Sequence, residues 1–499
     1  MTIYNINLGI GWASSGVEYA QVYRASMLRN LKQDAKFVFL DFINSENIQT
    51  YTENIGFKDD EIIWLYQYFT DIKIAPTSYT TKDLMKTINA PATNIVIKGK
   101  IKTIYLGSEQ TYVRCFLKNQ NEDIIDRVEY VVNHKLIKKD FYTYTKLCTE
   151  YYAPDNGAKL YMRKFYNEDG TIAYREYIDK EDSLFEINDE KLYSKQEFVA
   201  YFMKSLNLTA EDIIILDRGK GVAQPIIQNK GKSRLGVVVH AEHFNETNTN
   251  ENIVLWNNFY EYQFQNHRHV DFYITATERQ KQKLASQFKH YLKVEPKIYT
   301  IPVGSLKRLS KHSSRRPNSL ITASRLAKEK HLDWLILSVI KAKSEIKDLT
   351  FDIYGEGSQR QMLDNLIRKH NASSYIKLKG HVHLESVYHQ YEVFLSGSTS
   401  EGFGLTLMEA IGSGLGMIGL NVEYGNTTFI KNMENGILVD YVHDQDDSNE
   451  IVEKLSRAIV EIFTADMNYE AASYKIAQAF LTERIEEKWD MLIEEVLND

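Results

Sequence analysis

Residues 399–410 read Thr399-Ser400-Glu401-Gly402-Phe403-Gly404-Leu405-Thr406-Leu407-Met408-Glu409-Ala410. This stretch follows a strand candidate and opens a helix, a junction at which exposed backbone N–H groups bind anions. Glu401 can extend out of the glycine loop toward sugar hydroxyls, and Glu409 lies deeper, where it can accept hydrogen bonds from another diol. Two acidic residues at a helix start also occur as caps and solvated charges, and this alternative stays open.

Two cations and a histidine follow other predicted strands. Arg325 and Lys330 come after the strand at 320–323, and His240 comes after the strand at 236–239. In α/β folds the carboxyl ends of the strands form the ligand-binding edge. A guanidinium and a lysine at this edge could clamp a diphosphate and stabilise charge on a leaving nucleotide, and the histidine could contact a polar substrate. Solvated surface cations and a histidine bound by the backbone are the simpler alternatives.

Several common catalytic motifs do not occur in the sequence. His240-Ala241-Glu242-His243 lacks the His-Glu-x-x-His spacing of a zinc site and no third ligand is evident, so we expect no metal. No Gly-x-x-x-x-Gly-Lys-Ser/Thr occurs, which argues against a P-loop NTPase, and no Gly-x-Ser-x-Gly elbow occurs either. Gly9-Ile10-Gly11 lacks the third glycine of a dinucleotide fingerprint, so a hydride-transfer function is not supported.

The chain opens with a strand, a glycine loop and a helix. The strand candidate at 3–8 is followed by the loop at 9–16, and Ser15 with Glu18 has the form of a capping box for the helix. A buried strand at 36–42 then indicates a parallel α/β unit. After the loop, apolar residues recur at the spacing of one helix face, which predicts the helix: Val17, Ala20, Tyr23, Met27 and Leu31.

Between about residues 76 and 195 the apolar pattern changes to period two, with aromatic and charged residues in alternation. Residues 167–170, Asn-Glu-Asp-Gly, are a hairpin turn signal. Many of the 33 tyrosines lie in this stretch, so we expect an antiparallel meander whose aromatic faces bind a peptide or a partner. An ordinary β core that uses its tyrosines internally is the alternative. The strand candidates are at 111–117, 126–132, 160–166 and 171–174.

The α/β alternation resumes after Lys195, which makes the meander an insertion in the first domain. A polar, basic connector at 305–319 then marks the start of a second α/β domain. The later elements of the first domain are a helix at 199–206 and strands at 213–216, 236–239 and 270–274. Strand candidates of the second domain are at 320–323, 349–357, 375–380 and 393–395. The predicted parts are a first Rossmann-like domain (1–75 and 196–305), the insertion (76–195), a second Rossmann-like domain (306–480) and a C-terminal helix (481–499).

Length and composition fit this organisation. The 499 residues suggest about three structural units at roughly 150 residues each. The formal charge of −7 argues against a nucleic-acid partner. Cys115 and Cys148 are too few for a disulfide framework and match no metal-ligand spacing, so we expect a reducing cytoplasm. No signal-peptide pattern opens the chain and no run of 18 apolar residues occurs, so we expect neither secretion nor membrane crossing.

The joint occurrence of these motifs resembles the retaining GT-B glycosyltransferases of family 4. The resemblance is carried by the glycine loop after the first strand, by Arg325 with Lys330, and by Glu401 with Glu409 eight positions on. It implies an α/β protein of GT-B fold, in which two Rossmann-like domains face a nucleotide-sugar cleft. It also implies that the meander is an antiparallel β domain inserted in the N-terminal lobe, and that residues 306–480 bind a UDP-sugar.

Residues 4–19 and 70–76 are more closely similar to the GtfA subunits of accessory-Sec protein O-GlcNAc transferases of Gram-positive bacteria. This resemblance spans essentially the whole chain. It implies a hexosyltransferase that moves GlcNAc, or glucose, from a UDP-sugar to Ser and Thr of serine-rich repeat adhesins, the first step of their O-glycosylation. It implies a GtfB-like partner that holds the acceptor, and an inserted domain that contacts partner or acceptor. The assembly would be cytoplasmic and can associate peripherally with the inner face of the cell membrane.

By position, the resemblance implies roles for the site residues. Arg325 and Lys330 would hold the diphosphate, with Gly16 in the facing loop. Glu409 would bind the ribose, and the backbone at Lys379, Gly380 and His381 would bind the uracil. His240, Glu401 and the amides of Phe403, Gly404 and Leu405 would contact the donor sugar, and Gly402 and Thr406 are the other residues expected to bind the UDP-sugar. The catalytic residues among all of these would be Arg325, Lys330, Glu401 and His240.

Same-face substitution is the mechanism that we expect. Arg325 and Lys330 would stabilise UDP as it leaves, and its phosphate oxygen would take the proton of the acceptor hydroxyl. Double displacement with Glu401 as the nucleophile is the other template. No cofactor is expected, and activity should survive EDTA because two cations already neutralise the diphosphate. Two other functions fit the motifs: a wall teichoic acid N-acetylglucosaminyltransferase, and a catalytically silent sugar-binding chaperone subunit.

Overall fold

Two structural units make up the chain. The computed structural model describes residues 1–11, 16–155, 157–310, 314–442, 447–465 and 468–498, so Ser15 of the predicted capping box lies outside the described residues. The domain boundaries predicted at residues 75, 195, 305 and 480 stay predictions. Unit 1 comprises Met1–Ala25, Lys32–Val237 and Asn258–Asp271, and unit 2 comprises Ser26–Leu31, Val238–Asn257 and Phe272–Asp499.

Strands and helices alternate along the chain, apart from the inserted run of strands. The strands are β1 (Ile3–Asn7), β2 (Ala35–Phe39), β3 (Ile62–Trp64), β4 (Ala92–Lys98), β5 (Ile101–Leu106), β6 (Ser108–Leu117), β7 (Ile125–Val132), β8 (Lys135–Tyr142), β9 (Lys146–Ala153), β10 (Lys159–Tyr166), β11 (Ile172–Asp179), β12 (Asp182–Ile187), β13 (Glu190–Leu192), β14 (Ile213–Leu216), β15 (Arg234–Val239), β16 (Phe272–Thr275), β17 (Ile298–Thr300), β18 (Ser319–Ala323), β19 (Thr350–Tyr354), β20 (Ile376–Gly380), β21 (Val393–Ser396), β22 (Gly416–Leu420) and β23 (Gly436–Val439). The helices are α1 (Gly16–Asn30), α2 (Ile48–Ile55), α3 (Leu65–Tyr68), α4 (Thr81–Thr87), α5 (Lys195–Ser205), α6 (Ala223–Asn229), α7 (Glu261–Gln265), α8 (Glu278–Gln287), α9 (Leu332–Ala342), α10 (Arg360–Lys369), α11 (Leu405–Gly412), α12 (Gly425–Phe429), α13 (Ser448–Thr464), α14 (Tyr469–Ala477) and α15 (Thr482–Asn498).

Unit 1 contains parallel strands in the order β15-β14-β1-β2-β3, which confirms the predicted α/β unit. Strand β14 is entirely apolar and buried, the pattern of a central parallel strand. Strand β1 instead buries Asn5 and Asn7. Arg24 on α1 donates to both carboxylate oxygens of Asp217, at 2.8 and 2.9 Å, and to Oδ1 of Asn5 at 2.9 Å. This network fixes α1 against the middle of β1 and against Asp217, which directly follows β14.

The insertion is an antiparallel sheet whose strands lie in sequence order from β4 to β13; we call residues 92–192 the meander. The four predicted strands are confirmed. Gly170 donates its N–H to the carbonyl of Asn167 at 2.9 Å in the predicted hairpin turn. Strands such as β5 and β8 escape prediction because lysine and threonine interrupt their apolar alternation.

One face of the meander packs on aromatic residues of unit 1. Tyr174 stacks on Phe165, with ring centroids 4.3 Å apart, and donates its hydroxyl to the carbonyl of Tyr66 at 2.6 Å. Phe185 stacks on Phe198 of α5 at 4.1 Å. All five rings are buried. On this face the aromatic residues therefore belong to the core, which agrees with the alternative that the meander is an ordinary β core.

Unit 2 contains a second parallel sheet, with strands in the order β20-β19-β18-β21-β22-β23, and the parallel pair β16–β17. Successive residues of β18 lie in different buried clusters. Leu320 packs with α9, α10 and α13, whereas Ile321 packs with α11 and α12. Because successive strand residues point to opposite faces, helices cover both faces of this sheet, as in a doubly wound fold.

Two of the three arginines of the predicted connector, Arg315 and Arg316, are bound within unit 2. Arg315 donates to the carbonyls of Tyr391 at 3.1 Å and of Ser413 at 2.8 Å, and Arg316 forms an ion pair with Asp352 at 3.2 Å. The basic side chains therefore anchor the chain just before β18. Among the described residues, none of the helices combines the length and the apolar run that a membrane crossing requires.

Candidate functional site

The glycine loop before α11 has the predicted strand-to-helix geometry. Strand β21 ends at Ser396, and α11 begins after Gly404, whose φ of +87° is unfavourable for any other residue. The carbonyl of Glu401 accepts the N–H groups of Tyr424 and Gly425, at 2.8 and 2.7 Å. A side chain at Gly425 would overlap the carbonyl of Phe403. The loop is thus held by its backbone, and it leads directly into the N-terminus of α11, where the first N–H groups of a helix have no partner within the helix.

Two of the predicted catalytic residues meet in this loop. Lys330 and Glu401 form an ion pair, with Nζ and Oε2 2.7 Å apart and side chains only 17% and 21% exposed. Lys330 ends a short 3-10 turn, Lys328–Lys330, after β18. A Cβ at Gly397, just beyond β21, would lie 2.9 Å from the carbonyl oxygen of Lys330, so this glycine permits the close approach. The pair therefore joins the loops that follow two adjacent strands, β18 and β21.

Arg325 lies in the same loop as Lys330 but is open to solvent. Its side chain is 73% exposed and contacts Glu329 at 3.2 Å. The backbone on either side is fixed, because Ser324 and Leu326 donate their N–H groups to the carbonyls of Tyr354 and Glu356, at 3.1 and 2.9 Å. Arg325 is thus an exposed cation on a loop whose backbone is hydrogen-bonded on both sides, the arrangement that a bound diphosphate could use.

Two glycines that sequence reasoning missed make this packing possible. Gly355 and Gly357 follow β19, with φ of +133° and +158°. A Cβ at Gly355 would overlap the carbonyl oxygen of Ser324, and one at Gly357 would lie 2.5 Å from that of Leu326. The only signal in the sequence is the Gly-x-Gly at the end of the strand predicted at 349–357, a strand that the structure ends at Tyr354.

The residues predicted to bind a uracil lie at the end of β20. Lys379 and His381 are exposed, and Gly380 has a φ of +77°. The carbonyl of Gly380 accepts the N–H of Gly355 at 2.8 Å, which brings this bend beside the loop after β19. The bend therefore belongs to the same edge of the sheet as the Arg325 loop.

Glu409 lies one turn into α11 and is electrostatically unusual. The pKa of its carboxyl is raised to about 7: burial is the main cause, a hydrogen bond from Tyr388 partly offsets the rise, and the charge of the nearby Glu385 adds to it. The Tyr388 hydroxyl donates to Oε2 of Glu409 at 3.0 Å. A carboxyl that titrates near neutral pH and accepts hydrogen bonds is typical of a ligand site.

The histidines at 240 and 243 have different environments. A Cβ at Gly402 would lie 2.5 Å from the carbonyl oxygen of His240, so the backbone of His240 adjoins the glycine loop before α11. His243 is fully buried, with Nε2 2.6 Å from Oε1 of Gln287, and burial lowers its pKa to about 4. His243 is thus a neutral core residue. Within the described parts of the chain, no cluster of three or more His, Cys, Asp or Glu could hold a metal ion.

The other predicted residues divide between backbone and core roles. Phe403 is buried, with its ring 5.0 Å from that of Phe429, so only its backbone is available to a ligand. Leu405 and Thr406 are half-buried at the start of α11. Gly16 opens α1 in unit 1, while the remaining predicted residues belong to unit 2.

The chain is similar along its whole length to proteins of known activity. The family "GtfA extended beta-sheet domain" matches residues 94–189, and the family "Glycosyl transferases group 1" matches residues 307–471. The UDP-N-acetylglucosamine–peptide N-acetylglucosaminyltransferase GtfA subunit of Streptococcus agalactiae is 49% identical over 504 residues, with 100% of this chain and 99% of the relative covered.

Two solved structures extend the likeness to the fold. One is the pneumococcal O-GlcNAc transferase GtfA in complex with UDP and GlcNAc, which is 50% identical, has a TM-score of 0.94, and is matched over 100% of this chain and 99% of that one. The other is a GtfA/B complex, with a chain 47% identical, a TM-score of 0.96 and 100% of both chains covered.

Proposed function

The chain belongs to the family of GtfA subunits of UDP-N-acetylglucosamine–peptide N-acetylglucosaminyltransferases, and we propose that it transfers GlcNAc from UDP-GlcNAc to Ser and Thr hydroxyls of a serine-rich repeat protein. The single observation that supports this most is the Lys330–Glu401 pair in a chain that matches the UDP- and GlcNAc-bound GtfA end to end. A silent chaperone subunit would have no need to retain a cation and a carboxylate at this loop.

In the proposed reaction, the two cations bind the donor diphosphate. Lys330 is paired with Glu401 at 2.7 Å, so both side chains are already oriented toward one point, and the exposed Arg325 closes on the diphosphate from its rigid loop. The bond between the anomeric carbon and the diphosphate oxygen breaks, and a bond from that carbon to the acceptor oxygen forms on the same face. The hydroxyl proton passes to the leaving UDP, whose charge the two cations stabilise.

The remaining site residues recognise the rest of the donor. Glu409 accepts hydrogen bonds from the ribose diol, and the bend at 379–381 contacts the uracil through its backbone. The donor sugar contacts Glu401, His240 and the amides at 403–405. Because Phe403 is committed to the core, its contribution is its N–H group alone.

The activity is proposed to need a partner but no metal. The solved GtfA/B complex supports a GtfB-like partner for this chain, and we assign partner or acceptor contact to the meander. Two cations are enough to neutralise a diphosphate, which supports metal-independent transfer. We place the reaction in the cytoplasm, where the buried thiols of Cys115 and Cys148 stay reduced, with peripheral association at the membrane.

One mass-spectrometric experiment tests the proposal against its alternatives. The chain is incubated, with and without a co-expressed GtfB-like partner, with UDP-GlcNAc or UDP-glucose and with either a serine-rich peptide or a polyol phosphate. We expect peptide that is heavier by one N-acetylhexosamine, with the partner present. Transfer to polyol phosphate alone would favour the teichoic acid function, and no transfer or donor hydrolysis under any condition would favour the silent subunit.

A further inference from the structure

The hydrogen bond between Tyr388 and Glu409 has no role in the chemistry described so far. Tyr388 is 1% exposed and lies in the short 3-10 turn Tyr388–Gln390, between β20 and β21. Its hydroxyl donates to Oε2 of Glu409, at 3.0 Å. A buried phenol normally has a hydrogen-bond partner, and a carboxylate is the strongest acceptor that a protein offers it.

The turn that carries Tyr388 is fixed at several points. Tyr388 donates its N–H to the carbonyl of Leu384 at 3.2 Å, and its own carbonyl accepts the N–H of Tyr391 at 3.0 Å. Its ring packs near Phe394 of β21, with centroids 6.3 Å apart. The hydroxyl is therefore presented to Glu409 of α11 by a turn whose backbone is hydrogen-bonded on both sides of Tyr388.

The same segment of chain also leads from the bend at 379–381. Only residues 382–387 separate that bend from Tyr388. In the proposed function the bend contacts the uracil and Glu409 contacts the ribose. One short segment thus connects the elements that would bind the two halves of a nucleoside.

We propose that Tyr388 is a positioning residue for the donor nucleotide: its hydroxyl holds the Glu409 carboxylate ionised and oriented to accept hydrogen bonds from a ribose diol. This inference rests on the proposed function, because it names the ligand of Glu409. A carboxylate that accepts one hydrogen bond from a phenol has further lone pairs for a second donor. A protonated carboxyl would instead present an O–H and lose part of its accepting capacity.

Donor binding should therefore depend on pH. Among the described residues, the groups that act on the titration of Glu409 are Tyr388, through its hydrogen bond, and Glu385, through its charge. Since the pKa of Glu409 is about 7, binding that needs its ionised form is complete above that pH and is lost as pH falls through it. Removing the Tyr388 hydroxyl takes away a hydrogen bond that stabilises the ionised Glu409 carboxylate, so the pKa of Glu409 rises. The loss of donor binding on acidification should therefore begin at a higher pH.

The test is titration calorimetry of UDP-GlcNAc against the full chain from pH 5.5 to 9, for wild type and Tyr388→Phe. UDP-GlcNAc is a suitable probe because its diphosphate, esterified at both ends, does not titrate near neutral pH. We expect the acid limb of binding to move up in pH and affinity at pH 7 to fall about tenfold, converging with wild type at pH 9. In transfer assays at pH 7, KM for the donor should rise while kcat at saturating donor stays within about twofold.

Tyr391→Phe is the matched control. Tyr391 is also buried beside the turn, but its hydroxyl donates to Asp352 at 2.6 Å and not to Glu409. This variant should lose stability without moving the acid limb. Glu385→Gln is a second variant that acts on the same carboxyl from an exposed loop, and it should move the limb to lower pH.

Two failures are distinguishable. If wild type binds no UDP-GlcNAc at any pH, the proposed function itself fails. If wild type binds with an acid limb that Tyr388→Phe leaves in place, or that Tyr391→Phe moves equally, the role of Tyr388 is overturned and the proposed function stands.

Discussion

The C-terminal sheet and the meander place their charged residues in different positions. In unit 2, Lys330 and Glu401 lie in loops beyond the ends of strands, where glycines let backbones approach closely. In the meander, Arg163 lies within a strand and contacts Glu150 and Glu176 on the two neighbouring strands, at 3.0 and 2.9 Å. Charges beyond strand ends remain available to a ligand, whereas charges within strands are already bound by the fold.

This difference separates activity from stability. Substitution of the charged residues at the strand ends of unit 2 should lower the rate of transfer and leave folding intact. Removal of a buried charge within the meander should lower the stability of that sheet and leave the transfer chemistry of the folded fraction unchanged. A variant that lost both activity and stability would contradict this separation.

The largest effect is expected for Arg163→Ala. The guanidinium is 12% exposed and its two carboxylate partners are 3% and 2% exposed, so the change leaves two buried charges without a cation. We expect the free energy of unfolding, measured by urea denaturation followed by circular dichroism, to fall by about 3–5 kcal/mol.

The control for this variant lies on the adjacent strand. Arg175 pairs with Glu186 at 3.3 Å, but both side chains are more than 30% exposed. Arg175→Ala should cost about 0–1 kcal/mol. Equal losses for the two variants would show that burial of the Arg163 cluster does not matter.

The next effect is expected for Lys330→Ala. The change removes a cation from the proposed diphosphate site. We expect kcat/KM for peptide glycosylation to fall roughly 30- to 1000-fold, which corresponds to a loss of about 2–4 kcal/mol of transition-state stabilisation. Lys328→Ala, on the same turn but exposed, is the matched control and should transfer within about twofold of wild type. Near wild-type transfer by Lys330→Ala would remove this lysine from the mechanism.

A smaller effect is expected at the edge of the meander. Strand β4 lies at the end of the sheet, every residue in it is exposed, and Ile95, Val96 and Ile97 form an apolar run on it. If this edge binds the partner, Ile97→Glu should weaken binding of a GtfB-like subunit about tenfold by calorimetry, with stability changed by less than about 0.5 kcal/mol. Val132→Glu, an exposed apolar residue elsewhere on the meander, should bind normally. Unchanged affinity of Ile97→Glu would exclude this edge.

No effect is expected from metal removal. Transfer measured after dialysis against EDTA should equal that of the untreated enzyme, because Arg325 and Lys330 supply the positive charge for the diphosphate. Loss of activity that Mn²⁺ restores would contradict the assignment of both cations.

The sequence predicted that Lys330 and Glu401 lie at the site, but it did not predict the backbone packing and hydrogen bonds that position the site residues. Lys330 and Glu401 follow adjacent parallel strands, so the rule that strand ends meet at one edge was enough to bring them together. The roles of Gly355 and Gly397 depend on carbonyls of Ser324 and Lys330, far away in the chain, and local patterns carry no information about such approaches. Tyr388 was missed for the same reason, because one buried tyrosine looks like another until its acceptor is placed.

For Phe403 the motif predicts a ligand contact, but its side chain belongs to the core. It lies inside the motif that best predicts the site, yet its ring packs between Phe429 and Phe480 in the core. In the meander, the alternation of apolar residues predicted the strands in which it is strong, but it did not predict which face of the sheet is buried. That face is determined by Phe198 and Tyr66, which lie outside the meander in the sequence.

The glycines that let backbones cross in unit 2 also define where this enzyme can be redesigned. Side chains at Gly355 and Gly425 would overlap neighbouring carbonyls, so a mutational scan should find these positions intolerant of even alanine. Around them, Thr406, Lys379 and His381 project from a frame that does not depend on their identity. A combinatorial library at Thr406 could explore new donor sugars, and one at Lys379 and His381 new donor bases, while the scaffold that carries these positions stays constant.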